Sequence, residues 1–277
     1  MVSASSLLLP SSVRDFASCI GDGAVRLQLT WAHSPLGPTL SFSPSASGRA
    51  VLVRRRRGSC SVPSGSGSGE DEVVEGESSS TPPLALFWDL TAARFDPAAS
   101  PEPVSGYYVV AVAASAEVVL AVGDLAAEFV KAKFDGGEIP MAHVTPFAHG
   151  ERVVVSSDAA AIMHTARARF AEDGQEHEVS VGCAPGGADE LWVSIDGKRA
   201  VQARRLRWNF RGNQTVFVDG APVDVMWDLH GWWFREPPGC AVVMLRARSA
   251  LESRLWLEEE AAAPGFSLVV QAFKTPP

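Results

Sequence analysis

The stretch "RRLRWNFRGNQTVFVDGAPVDVMWDLHGWWF", Arg204 to Phe234, decides how the rest of the chain is read. Asp219-Gly220-Ala221 separates "TVFV" from "PVDVMWDL", and Asp-Gly between alternating apolar runs is a strong hairpin signal because the turn needs positive φ at both central residues. The same reading makes Asp196-Gly197-Lys198 a turn between "LWVSI" and "RAVQA". It makes "AEDGQE" a turn between "ARARF" and "HEVSV", and Arg211-Gly212-Asn213 a turn between "LRWNF" and "TVFV".

Working outward, alternation continues in both directions. "VRLQLTW" puts Val25, Leu27, Leu29 and Trp31 on one face. "TLSFS", "AVLV", "LALFWDL" and "FSLVVQAF" read as strands, and "GYYVVAVAASAEVVLAVGD" as a hairpin turning near Ala114–Ala116. Two segments read as helix: Leu125–Phe134, with Asp124 as its N-cap, and "SALESRLWLEEEAA". Strands spaced by about 8–12 residues with turn residues between them predict a mainly β fold, an antiparallel sandwich or barrel with one or two short helices.

Trp-Asp-Leu occurs twice, at Trp88-Asp89-Leu90 and Trp227-Asp228-Leu229. "GRAVLVRRRR" and "KRAVQARRLR" align at a shift of 150, which sets Val51 against Val201 and Arg54, Arg55 and Arg57 against Arg204, Arg205 and Arg207. Propeller repeats recur about every 40 residues, so one distant echo is not a propeller. The expected organisation is two duplicated β units, 20–135 and 151–277, joined by a connecting loop at 136–150. Residues 1–19 are expected to be a flexible extension. The Gly-, Ser- and acid-rich insert 61–83 is expected to be disordered, because it holds almost nothing to bury.

Net charge is −8, yet residues 1–63 carry seven Arg against two Asp. An acidic chain repels phosphate, which weakens the case for non-specific nucleic-acid binding. The four cysteines form no Cys-x-x-Cys pair and read as reduced packed thiols, hence a soluble intracellular protein of cytoplasm or nucleus. The Ser-rich, acid-free first 14 residues keep a plastid address open as an alternative. No apolar run has the length of a membrane-spanning helix. Asn213-Gln214-Thr215 is a formal glycosylation sequon that reads more simply as a turn.

The six histidines show no metal-ligand spacing, and no nucleophile elbow or phosphate loop is present, so no catalytic, cofactor or metal residue is named and an enzyme is not the preferred reading. Trp88 and Trp227 read as core indoles, and Asp89 and Asp228 as acceptors of turn N–H groups. Trp232 and Trp233 are adjacent, so extended chain would turn one of them outward. With Arg204, Arg205, Arg207 and Arg211 they form the candidate contact surface; Leu206 and Trp208 are assigned to the inner face. The expected partner is a protein, with a small ligand, a carbohydrate or RNA as alternatives.

"VRDFASCIGDGAVRLQLTW", "LFWDLTAARF", "PEPVSGYYVVAV", the block from Arg204 to Phe234 and "GFSLVVQAFK" together resemble a plant-restricted family, domain of unknown function eight-six-eight. The resemblance runs from about Arg14 to Lys274 and implies a plant source and a β-rich fold. The family begins near "RDF", so Met1–Val13 reads as an extension. Relatives carry a Lys-rich piece with an aromatic where this chain has Arg54–Arg57. The resemblance transfers no catalytic residue.

Overall fold

The computed structural model describes residues 9–20, 23–44, 50–62, 83–96, 99–134, 141–142, 144–156, 162–171, 174–184, 189–234, 239–248 and 266–274. The chain is mainly β. The first four strands are β1 (Ser11–Ile20), β2 (Gly23–Ser34), β3 (Gly37–Ser43) and β4 (Val51–Val53). A second meander follows: β5 (Arg57–Val62), β6 (Leu84–Asp89), β7 (Tyr108–Ala113) and β8 (Val118–Val122), then the helix α1 (Ala126–Lys133). After β9 (Val144–Val155) come β10 (Ile162–Ala168), β11 (His177–Ala184), β12 (Glu190–Ile195) and β13 (Lys198–Arg204). The last group is β14 (Arg211–Val218), β15 (Ala221–Asp228), the short helix α2 (His230–Phe234), β16 (Cys240–Ala247) and β17 (Ser267–Lys274).

Among the described residues three sheets result. One has nine strands in the order β14-β15-β16-β17-β9-β1-β2-β3-β4; β5–β8 and β10–β13 each form a four-stranded meander. Among the described strands every pairing is antiparallel except that of β17 with β9, which run parallel. The alternating side chains of β1–β4 bury against those of β5–β8: Leu27, Leu29, Trp31, Leu40 and Phe42 meet Leu86, Trp88, Val109 and Leu120 in one core. A second core joins β10–β13 to β14–β17 through Val179, Leu191, Val193, Val201, Val223, Val225 and Leu245. β9 stitches the two sheet pairs together, bonded to β1 on one side and β17 on the other.

β7 reads "YVVAVA" without alternation because both its faces are covered. Val109 and Ala111 enter the first core, while Tyr108, Val110 and Val112 pack under α1 with Ala126 and Val130.

Several expectations are corrected. Residues 11–19 are not a flexible extension: β1 pairs along its length with β2, and with β9 on its other edge. Pairing with β1 also draws 144–150 out of the expected connecting loop, with Pro146 tolerated beside a register irregularity. Ser61 and Val62 belong to β5, and 63–82 lie outside the described residues. So does the whole of "SALESRLWLEEEAA", which begins at 249. Asp124 does not cap α1. Its carboxylate accepts the backbone N–H groups of Gly106 and Tyr107, and Leu125 occupies the cap position without a side-chain bond.

Asp196-Gly197 and Asp219-Gly220 are two-residue turns with positive φ at all four positions, closing β12–β13 and β14–β15. Arg211-Gly212-Asn213, by contrast, lies inside β14. The glycine is required there for close approach, because a Cβ on Gly212 would fall 2.2 Å from the Trp227 ring.

Candidate functional site

The candidate contact residues divide. β13 ends at Arg204, and the chain crosses to β14 through a turn in which Arg205 has φ +57°. Leu206 plugs the second core, fully buried. Trp208, assigned by alternation to the inner face, is 85 % exposed. The turn breaks the period-two count between 204 and 211, so the two residues no longer share a side. Arg204, Arg205, Arg207 and Arg211 are all exposed around it. Arg204 lies 3.6 Å from Glu190, and Arg211 pairs with Asp228 at 2.9 Å.

Trp232 and Trp233 are in helix, not extended chain, so adjacency no longer forces them apart. Trp232 is removed from the contact surface: it is 5 % exposed, lines a small apolar void of about 30 Å³ inside the second core, and carries the Lys274 ammonium 4.6 Å above its ring. Trp233 is half-buried against the second core, and the Arg207 guanidinium sits 5.6 Å over it. Phe210, His230 and Phe234 form an adjoining ring cluster with centroids 5.3–5.7 Å apart, and Phe234 is 52 % exposed. Of the candidate contact residues, the four arginines are exposed, Trp233 is half-buried and Trp232 is buried; Trp208 and Phe234 are exposed aromatics of the same block.

The Trp-Asp-Leu pairs are structural. Trp88 Nε1 donates to Arg55 O at 2.8 Å, and Trp227 Nε1 to Asn209 O at 3.0 Å. Asp89 accepts the Thr91 N–H and Asp228 the His230 N–H, each two residues on. Arg57 pairs with Asp89, and Arg211 with Asp228.

A second group of polar side chains, spread over 150 residues of sequence, meets where β9 joins the sheet pairs. Glu151 is buried, with Oε1 2.6 Å from His149 Nε2 and 2.7 Å from Ser100 Oγ, and Oε2 3.2 Å from His164 Nε2. Burial alone would raise this carboxyl, but the hydrogen bonds and charge of His149 and His164 outweigh it and hold it at about 2. His149 Nδ1 faces the Arg167 carbonyl at 2.9 Å and must donate to it. Its Nε2 is the nitrogen that faces Glu151. Ser12 Oγ shares that same Nε2 at 3.0 Å. A serine nucleophile requires a base nitrogen free to take its proton, with the carboxylate on the opposite ring nitrogen. Here serine and carboxylate crowd one nitrogen, so the geometry is that of a strut.

Beside it Arg14 donates to Glu102 at 2.8 Å and Glu176 at 3.2 Å, and Tyr107 Oη donates to Glu102 at 3.2 Å. Burial works against the Arg14 charge, but the two carboxylates raise its pKa overall. His177 bridges two turns, with Nδ1 2.7 Å from Asp196 and Nε2 2.8 Å from Asp219. Burial opposes its charge, and the two carboxylates outweigh that and raise its pKa. None of these groups was legible in the sequence, because partners up to 162 residues apart carry no local spacing. Among the described residues no cluster of three or more His, Cys, Asp or Glu has metal-holding geometry.

A family model described as Plant protein of unknown function (DUF868) matches residues 16–274, and the chain belongs to that family. No curated protein and no solved structure matches it.

Proposed function

We propose that this member of the plant family is a non-catalytic binding protein that docks an acidic protein segment on the β13–β14 turn. The observation that carries the reading is the 85 % exposure of Trp208 in a chain whose six other described tryptophans are buried or half-buried. Desolvating that indole on a partner is favourable, and Trp and Arg are the residues most enriched at interface hot spots. Four exposed arginines lie within four residues of it in the chain; Arg204 and Arg211 already sit beside Glu190 and Asp228, which leaves Arg205 and Arg207 to favour carboxylates. The chain's −8 total disfavours the much denser charge of a nucleic acid. The test is titration of the full chain with a synthetic peptide rich in Asp, Glu and Phe, and separately with single-stranded RNA. Peptide binding should weaken by about tenfold or more, 1.4 kcal/mol, in Trp208→Ala and in Arg205→Glu/Arg207→Glu. Peptide binding indifferent to both variants, or binding of RNA alone, would overturn it.

The scaffold under this surface reads as a duplication, β1–β8 repeated as β10–β17 with β9 added between them. In each unit the first strand of the second meander places a glycine opposite the Trp of the next strand: Gly58 faces Trp88, and Gly212 faces Trp227. In each, the indole N–H bonds the carbonyl three residues before that glycine. Leu40 pairs with Val53 and Phe42 with Val51, as Leu191 pairs with Ala203 and Val193 with Val201. A relative whose crystal structure put the two Gly–Trp pairs on non-corresponding strands would remove this reading. The free thiols of Cys60, Cys183 and Cys240 support a reducing intracellular compartment, cytoplasm or nucleus. A fluorescent fusion seen in the plastid would replace that assignment.

A further inference from the structure

We propose that the trough where β1, β8, β9 and β10 meet is a binding site for a small amphiphilic anion, a molecule with an apolar body and one carboxylate or sulfonate. The trough has a volume of about 400 Å³, within the range of small-molecule sites, which are mostly apolar with a few placed polar groups. Its floor is Phe16, Leu120, Val122, Pro146, Phe147 and Phe266. Its charge is mainly positive.

The "ARARF" strand explains the cations. Ala166, Ala168 and Phe170 enter the second core, so alternation turns Arg167 and Arg169 outward together at the mouth of the trough. Among the described residues neither has an ion-pair partner. Arg14, deeper in the wall, is occupied by Glu102 and Glu176. Among the described residues Glu176 is the only carboxylate in the lining, and Arg14 holds it. His149 also reaches the wall but is bound to Glu151 and Ser12. Outside the lining itself, the Arg26 guanidinium lies 5.6 Å over the ring of Phe147. The planar donor fork of Arg matches a carboxylate or sulfonate, and the aromatic floor takes the apolar body.

The site is independent of the Trp208 surface, and the test keeps them apart. The full chain carrying Trp208→Ala is titrated with anilinonaphthalene sulfonate, whose fluorescence rises in apolar surroundings. Decanoate then serves as competitor and decanol as the uncharged control. The expected result is saturable binding, displaced by decanoate and not by decanol. Affinity should fall at least about tenfold in Arg167→Glu/Arg169→Glu, the size of a lost charge-assisted pair. Ala121 is an exposed lining residue, and Ala121→Trp should block the trough without touching a charge. Far-UV circular dichroism and the melting temperature confirm that each variant is folded. Absence of saturable binding, equal displacement by decanol, or affinity unchanged in both folded variants would overturn the site.

Discussion

Gly212 and Trp227 face each other across β14–β15, and the space a Cβ would occupy on Gly212 is filled by the indole. The indole N–H reaches back to Asn209 O. Gly58 and Trp88 repeat the arrangement, but there the missing Cβ would stop 2.9 Å from the ring instead of 2.2 Å. Both alanine variants overpack, and Gly212→Ala should cost more, about 2–3 kcal/mol against about 1 for Gly58→Ala. Urea denaturation of the two variants checks the order as well as the sizes.

Trp208 and Trp232 sit 24 positions apart in one block, yet their deletions should behave oppositely. Trp208→Ala removes a side chain with almost no burial, so stability should stay within about 0.5 kcal/mol of the parent. Trp232→Ala enlarges an apolar void already beside it and should cost about 3–5 kcal/mol. Equilibrium unfolding separates the two outcomes.

His177 should make stability fall as pH rises. Its pKa is raised above the ordinary 6.5 by Asp196 and Asp219 against the opposing effect of burial. The stabilisation is therefore fully present below about 6.5 and is lost as pH passes through the higher folded value. Asp219→Asn, which keeps a residue tolerant of φ +49°, should be less stable than the parent near pH 6. The gap should narrow by pH 9, as read from thermal melts across that range.

Glu151 acts in the other direction. Its carboxyl is held at about 2 against an ordinary 4.5. Its contribution is complete above 4.5 and disappears as pH falls towards 2. Glu151→Gln should be destabilised at neutral pH and should show a shallower loss of stability between pH 4.5 and 2. Acid titration followed by tryptophan fluorescence reads both.

The strands were legible wherever one face is buried and the other wet. Val25, Leu27, Leu29 and Trp31 alternate in sequence and are all buried. The Asp-Gly turns were legible because their chemistry is local, as positive φ at both centres confirms. Gly212 misled because a glycine beside Arg and Asn has two physical meanings, a turn or a close approach. Only the position of Trp227 selects between them. Trp208 misled because a turn of a few residues resets which side alternation points to.

What the amino-acid order determined by itself is the periodicity, the hairpin turns and the repeated Trp-Asp-Leu, all products of steric and hydrophobic preferences acting over a few residues. Only the tertiary structure decided that β1 is central, because its partner β9 lies more than a hundred residues away. It also decided that the block from Arg204 to Phe234 keeps Trp232 and exposes Trp208. Hydrogen bonds and ion pairs between distant segments, such as Ser12 with His149 and Arg14 with Glu176, depend on where strands are brought together, and no local pattern encodes that placement.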